Sequence, residues 1–530
     1  MKKDFQHLII IIAFAAVFLY LVMSQNKRSI PEYDQLERTA KISPDYTSAV
    51  IPPNIAPLNF MIDEEGVEYG VKIYSDNGTS IEIFSNCSGI RIPAGKWHRL
   101  LDMNKGNDLY FDIYVKNHQR WIRFKSITNR IAREKIDDYL VYRKMLPAYY
   151  QVLHEKMDIC IRNITNYKES AVLKNYQLKG GCINCHAFCR NQPENMLLGI
   201  RRSPKYGVST LLVNNDKVLC LDMKIGYTSW HPSGKVAAFS VNDIPMYFHT
   251  KRREPRNTMD LKSMIAYYRL GSRTVKSVPA LSDKGQLENW PCFSVDGKRL
   301  FFCNSKKLWG EDADMNNMPF EFYDQVKYDL MSINYDITKD KWGDKAETIV
   351  SSGKTGQTIA APQVSPDGRW LSFCMFDYGF FPTWQEESDI YMIDLQEAEK
   401  NGTYNYRRLE LNSDRSDSWH KWSSNSRWIV FSSKRDYDPF TKPYFSYIDE
   451  NGKSYKPVVL PQKDPDLYNC FLYSFNTPEL ITSPVKLTGE KLARVIRKNK
   501  KIFVGLPKTM ASPKAQENTE YGGVPYKSQN

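Results

Sequence analysis

The sequence predicts a mainly β chain: a β-propeller of six blades, preceded by a small β-sandwich-like domain, short helices and an N-terminal membrane anchor. Three observations lead there. Aromatic residues make up 13% of the 530 residues, with Tyr contributing 33 of them, and aromatics suit the pleated, half-buried surface of a strand. Short apolar runs alternate with Asn-Gly and Asp-Gly turns along much of the chain. The second half also repeats itself, the mark of a radially or linearly stacked fold.

Lys2-Lys3 precede an unbroken apolar run from Leu8 to Met23. As a helix this run rises about 24 Å, a little short of a ~30 Å hydrocarbon core. A basic start and a short apolar stretch fit an export signal. Tyr20-Leu21-Val22-Met23 is too bulky for a cleavage site, so residues 1–25 are expected to remain as a signal anchor. The first cysteine is Cys87, too distant for a lipoprotein. Residues 26–50, with Pro31, Pro44 and no sustained periodicity, suggest a polar linker.

Residues 51–128 carry three alternating runs, Val67–Tyr74, Ser80–Phe84 and Leu109–Val115, around turns such as Asp76-Asn77-Gly78. They predict a small antiparallel β domain. From 129 to 180 the spacing of Ile131, Ile136, Tyr139, Leu140 and Tyr142 favours a helical connector. Pro147 divides it into two short helices.

Four segments beyond residue 190 align: Trp230–Ser240, Phe293–Cys303, Val364–Cys374 and Trp422–Ser432. Each holds an apolar strand end, a turn, a basic residue and a second apolar strand. Asp-Gly supplies the positive φ of a tight hairpin, and Asn425-Ser426 substitutes for it in the fourth copy. A weaker first unit, Met196–Arg201 with Ser209–Val213, and a last one near 469–487 bring the count to six over 193–487. Long loops are expected around 243–262 and 306–325. The repeat resembles the core of the TolB-like propeller family, whose W-S-P-D-G-K pattern Val364–Arg369 matches best. Trp422–Arg427 departs from it at the Pro, Asp and Gly positions. The resemblance spans roughly 195–485 and implies four-stranded blades around a central channel.

The net charge is +13, with a basic run at Arg497-Lys498-Asn499-Lys500-Lys501. No nucleic-acid fold motif accompanies it, so a solvated surface is the expectation and nucleic acid is not a predicted partner. Residues 488–530 form a basic tail, partly flexible beyond Val504. Ten scattered cysteines are too few for a disulfide scaffold. Cys303 and Cys374 lie in apolar runs and are expected in the core.

The chemistry concentrates in residues 181–192, at Cys182-Ile183-Asn184-Cys185-His186. In the C-x-x-C-H pattern two thiols tether a haem through its vinyl groups and the histidine ligates the iron. Gly180-Gly181 before it allow a close turn. Such tethering takes place outside the bacterial cytoplasm, the compartment to which the export signal points. One covalent haem c is expected, held by Cys182 and Cys185, with His186 as proximal ligand. Met196 is a candidate distal ligand, with His154, His231 and His420 as further candidates. Met196 also suits a core position, and His231 a turn.

Other readings of the same residues are a zinc or iron–sulfur site that includes Cys189, and a redox disulfide between Cys182 and Cys185. Adjacent Cys185 and His186 fit one tetrahedron poorly, and no thioredoxin-like pattern surrounds the cysteines. A hydrolase is not expected, because fewer than 60 residues follow the last blade and no G-x-S-x-G elbow appears there.

The combination also resembles Gram-negative TolB-like proteins bearing an anchor, a small β domain and one C-x-x-C-H. It implies a single-pass, periplasm-facing monohaem cytochrome-like protein of the cell membrane, not an enzyme. Its propeller would dock an unidentified redox or envelope partner for electron transfer or sensing. The rival is a non-redox envelope scaffold in which haem is structural or absent.

Overall fold

A computed structural model describes residues 32–146, 157–203, 206–250, 252–272, 274–313, 320–498 and 501–502. The expected anchor and the tail beyond 502 lie outside them. Among the described residues no helix is long and apolar enough to cross a membrane. The chain is mainly β and forms two compact units.

The smaller unit comprises residues 32–48, 57–130 and 463–466. The three expected runs are strands Glu68–Tyr74, Ile81–Ser85 and Asp108–Lys116, paired antiparallel. Trp121–Lys125 and Ile127–Ile131 extend the sheet. The expected linker is structured from Tyr33 onward: Tyr33–Thr39 pairs in parallel with Trp121–Lys125. All seven of its side chains are exposed, so polarity concealed an edge strand. A second, three-stranded sheet joins Ile42–Ser43, Phe60–Ile62 and Gly89–Ile90. The helix Ala94–Met103 was not expected, although Trp97, Leu100 and Leu101, which it buries, have helical spacing.

The larger unit contains six sheets of four or five strands, each antiparallel. Sheet one runs Cys182–Cys189, Gln192–Ser203, Gly207–Asn214 and Lys217–Leu221. Sheets two to five begin with Thr228–Trp230, Gln286–Phe293, Thr358–Val364 and Asp417–Trp422. Sheet six begins with Ser474–Ile481 and continues with Tyr139–Met145, Met157–Asn163 and Glu169–Leu173. The first strands neighbour one another in sequence, and that of sheet six neighbours that of sheet one, so the six form a closed cycle.

Sheet six corrects the helical connector expected over 129–180. Residues 139–173 supply three strands, and the only helical piece among the described residues there is a 3-10 turn, Asn175–Leu178. Leu140, Val141 and Tyr142 are all buried, as are Ile159, Cys160 and Ile161. Burial on both faces removes the alternation that marks a half-exposed strand. Pro147 falls between the strands, outside the described residues.

The repeated turns join first to second strands in sheets two to five. Gly234, Gly297 and Gly368 take φ of 68°, 74° and 79°, and Ser426 takes 60° at the same place. At Gly297 an added Cβ would lie 2.1 Å from His231 Nε2, so glycine is also required by space. Within the expected 243–262 loop, Met246–Phe248 and Arg256–Thr258 form a hairpin. It reaches sheets four and five through Arg252 to Asp377 and Glu387 and a buried Glu254–Lys434 pair.

Ring closure rests on the C-terminal strand. Asn191 Nδ2 donates to the carbonyls of Trp422 and Leu480 at 2.9 and 2.8 Å, tying sheet one to sheets five and six. Leu480 is fully buried, whereas Leu472 is 63% exposed. Leu480→Ala is therefore expected to cost about 2–5 kcal/mol in urea unfolding, and Leu472→Ala under about 0.5 kcal/mol. Equal effects would contradict the seam.

Candidate functional site

The motif lies on the innermost strand of sheet one, and that strand is irregular where the chemistry sits. Ile183 pairs with Ile200 and His186 with Leu198, so three steps on one strand face two on the other. The surplus residue falls within Asn184–Cys185, forming a β-bulge, a device that re-aims side chains. The same three-against-two irregularity recurs between Asn289 and Cys292, Ala360 and Gln363, Ser418 and Lys421, and Asn476 and Glu479. Trp290, Ala361, Trp419 and Thr477, one step into these bulges, have φ of 55°, 55°, 54° and 49°. Bulges also explain the prolines at 291, 362 and 478, which a regular central strand would exclude.

The bulges turn a set of side chains onto the axis of the ring, around a chamber of about 50 Å³. Tyr227 stacks on Trp290 at 3.5 Å, and Trp290 meets Trp419 at 5.1 Å, forming an aromatic wall. Trp290 Nε1 donates to the Phe380 carbonyl at 3.0 Å, which holds that wall in place. The polar lining includes His186, His420, Lys421, Thr477 and Glu479.

His186 is 7% exposed, and neither ring nitrogen makes a hydrogen bond of full geometry, although the Thr477 backbone acts on the ring and favours its charged form. Burial, aided by the charges of Lys421 and Arg143, pushes it down to about 3. The imidazole is thus neutral at pH 7, with a lone pair available to a metal. His420 is also brought down to about 3 by burial. Its Nδ1 lies 3.6 Å from Cys374 Sγ, while Nε2 has no partner. Burial pushes the Glu479 carboxyl up, against the charge of Lys421. Glu479 Oε1 accepts the Phe188 amide at 3.1 Å.

Cys182 is buried beside Met145 and Met157, with its Sγ 3.9 Å from Met157 Sδ. The side chain of Cys185 and all of His154 lie outside the described ones. Met196 is not brought into the chamber: it pairs with Phe188 and packs with Ile161, Leu198 and Ile481 in an apolar core. His231 is a turn residue, its Nδ1 2.8 Å from Ser233 Oγ. Cys189 packs with Trp230 in a different core from Cys182. Among the described residues no three His, Cys, Asp or Glu side chains are placed to hold a metal ion. Lys421, Thr477 and Glu479 were not foreseen. The recurrence of Pro291, Pro362 and Pro478 two residues before Phe293, Val364 and Leu480 was the available signal.

In donor chemistry these residues fit a c-type haem: a buried thiol and an unpartnered neutral imidazole flank the bulge that carries the second cysteine. The room beside His186 is smaller than the ~300–1,000 Å³ of usual cofactor pockets.

No protein-family model and no curated protein matches the chain. Among solved structures, a prolyl endopeptidase is 12% identical, with a TM-score of 0.34 over 68% of this chain and 41% of that one. A puromycin hydrolase is 13% identical, with a TM-score of 0.33 over 60% and 45%. The apocarotenoid oxygenase of Synechocystis is 10% identical, with a TM-score of 0.33 over 82% and 95%. The chain thus spans about four-tenths of the length of the prolyl endopeptidase. The proteins in these structures are enzymes, whereas the sequence led to the expectation of a chain that is not one.

The histidines make stability depend on pH. A folded value near 3, against the ordinary 6.5, means the unfolded chain binds more protons between those limits. Stability present above pH 6.5 is therefore lost as pH falls toward 3, by about 1.4 kcal/mol per pH unit for each such histidine. Urea unfolding of His420→Leu should show a slope between pH 6 and 4 shallower by about that amount. An unchanged slope would place His420 in water.

Proposed function

We propose that the larger unit is a six-bladed propeller of the TolB-like kind, and that the chain is a membrane-anchored, periplasm-facing monohaem c-type protein. Cys182 and Cys185 would hold the haem through thioethers, and His186 would ligate its iron. The group supplies, when bound, one-electron chemistry or a binding place for a small ligand. The observation that carries this reading is His186: a buried, neutral imidazole without a hydrogen-bond partner, within the C-x-x-C-H motif. An unsatisfied buried nitrogen costs roughly 1–3 kcal/mol, so its retention calls for a partner.

The residues around the motif have separate tasks. Phe188 lies beside the His186 ring, their centroids 5.9 Å apart and the rings tilted. Burial, with a smaller contribution from the Lys421 charge, keeps that ring unprotonated, as a metal ligand must be. Residues 1–25 would anchor the chain in the bacterial cell membrane, and the propeller would be the platform for a redox or envelope partner. A second reading, an envelope interaction scaffold with haem structural or absent, is favoured by the 50 Å³ chamber beside His186.

The test is production in cells that load another c-type cytochrome, followed by a haem stain on a denaturing gel and a pyridine haemochrome spectrum. A stained band with the spectrum of two thioether links is expected. Cys182→Ser should shift that spectrum to one link, and His186→Ala should alter the iron spin state while keeping the stain. An unstained wild-type band, or full two-link character in Cys182→Ser, would overturn the haem assignment.

A further inference from the structure

We propose that the axial chamber is a binding site for a small oxyanion, of formate, acetate or bicarbonate size, held by His420 and Thr477 under the charge of Lys421. This goes beyond the haem reading and does not rest on it, because these three residues come from sheets five and six.

Several observations converge. His420 Nε2 and Thr477 Oγ1 are both buried without a hydrogen-bond partner, and both residues line the same chamber. His420 is 1% exposed. Its Nδ1 lies 3.6 Å from Cys374 Sγ and the Ser372 backbone also acts on the ring, while Nε2 makes no hydrogen bond. Native proteins rarely leave buried polar atoms unmet, and these two, in a cavity that the unpartnered His186 ring also lines, mark a place where something polar belongs. The volume of about 50 Å³ corresponds to roughly three or four water-sized guests, which bounds the ligand to a few heavy atoms.

The sign of the guest follows from the charges that face the chamber. Lys421 Nζ donates to Gln363 Oε1 at 2.9 Å, a neutral acceptor that leaves its charge in place. Glu479 is the acidic residue of the lining, and its first oxygen already accepts the Phe188 amide. Thr477 Oγ1 can donate, and His420 Nε2 donates in the tautomer whose Nδ1 accepts from Cys374 Sγ; such groups beside a positive charge suit an anion. Thr477 occupies the positive-φ step of its bulge, at 49°, and lines the chamber from there.

Trp290 and Trp419 in the wall provide the readout. Acetate, formate and bicarbonate are titrated into the full chain carrying Cys182→Ser and Cys185→Ser, which excludes haem, with sodium chloride at matched ionic strength as reference. A saturable change in tryptophan emission is expected with at least one oxyanion and not with chloride. Lys421→Gln should weaken it at least tenfold. Thr477→Gly, which removes the hydroxyl and suits the positive φ, should also weaken it while the thermal midpoint holds or rises. No saturable response, an equal response to chloride, or unchanged affinity in both variants would overturn the site. A response in this haem-free chain would stand even if the wild type proved never to carry haem.

Discussion

The pairing of Ser474–Ile481 with Tyr139–Met145 joins segments more than 300 residues apart, and the ring exists because that pairing forms. Without it sheet one would present an unpaired seam where His186 and Phe188 are now buried against Thr477 and Glu479. A closed ring also spares each innermost strand the exposed edge that invites aggregation. The entropy of closing so long a loop is offset by contacts all around the cycle, which makes such a fold slow to form and cooperative once formed.

Closure alone would give a packed axis. The bulges turn it into a site. One residue of surplus on each of five innermost strands brings two tryptophans, two histidines, a lysine, a threonine and a glutamate to one level of the axis. The C-x-x-C-H motif is the sheet-one copy of this device, with Cys185 at the position that Pro291, Pro362, His420 and Pro478 occupy elsewhere. A motif readable as local chemistry is thus also a structural position in a repeated frame.

Much of this was legible in the residues. The Asp-Gly turns marked the hairpins between first and second strands, and Asn425-Ser426 was recognised as a turn despite lacking glycine. The composite sixth sheet was not, because Tyr139–Met145 and Met157–Asn163 are buried on both faces and lack a period of two. The edge strand Tyr33–Thr39 was missed for the opposite reason, being exposed on both faces. His186 is marked by its motif, whereas Lys421, Thr477 and Glu479 acquire meaning only through register, which a single sequence does not display. Met196 looked like a ligand by proximity along the chain, yet strand pairing directs it into the core between sheets one and six.

The proposed thioether links at Cys182 and Cys185 and the chamber of about 50 Å³ beside His186 meet at the same peptide. The most direct measurement is the mass of the proteolytic fragment spanning Gly181–Arg190, from protein made where c-type haem is attached. One haem added to that fragment, with both thiols consumed, is the predicted result. A fragment of unmodified mass, with Cys182 and Cys185 free or joined to each other, would contradict it.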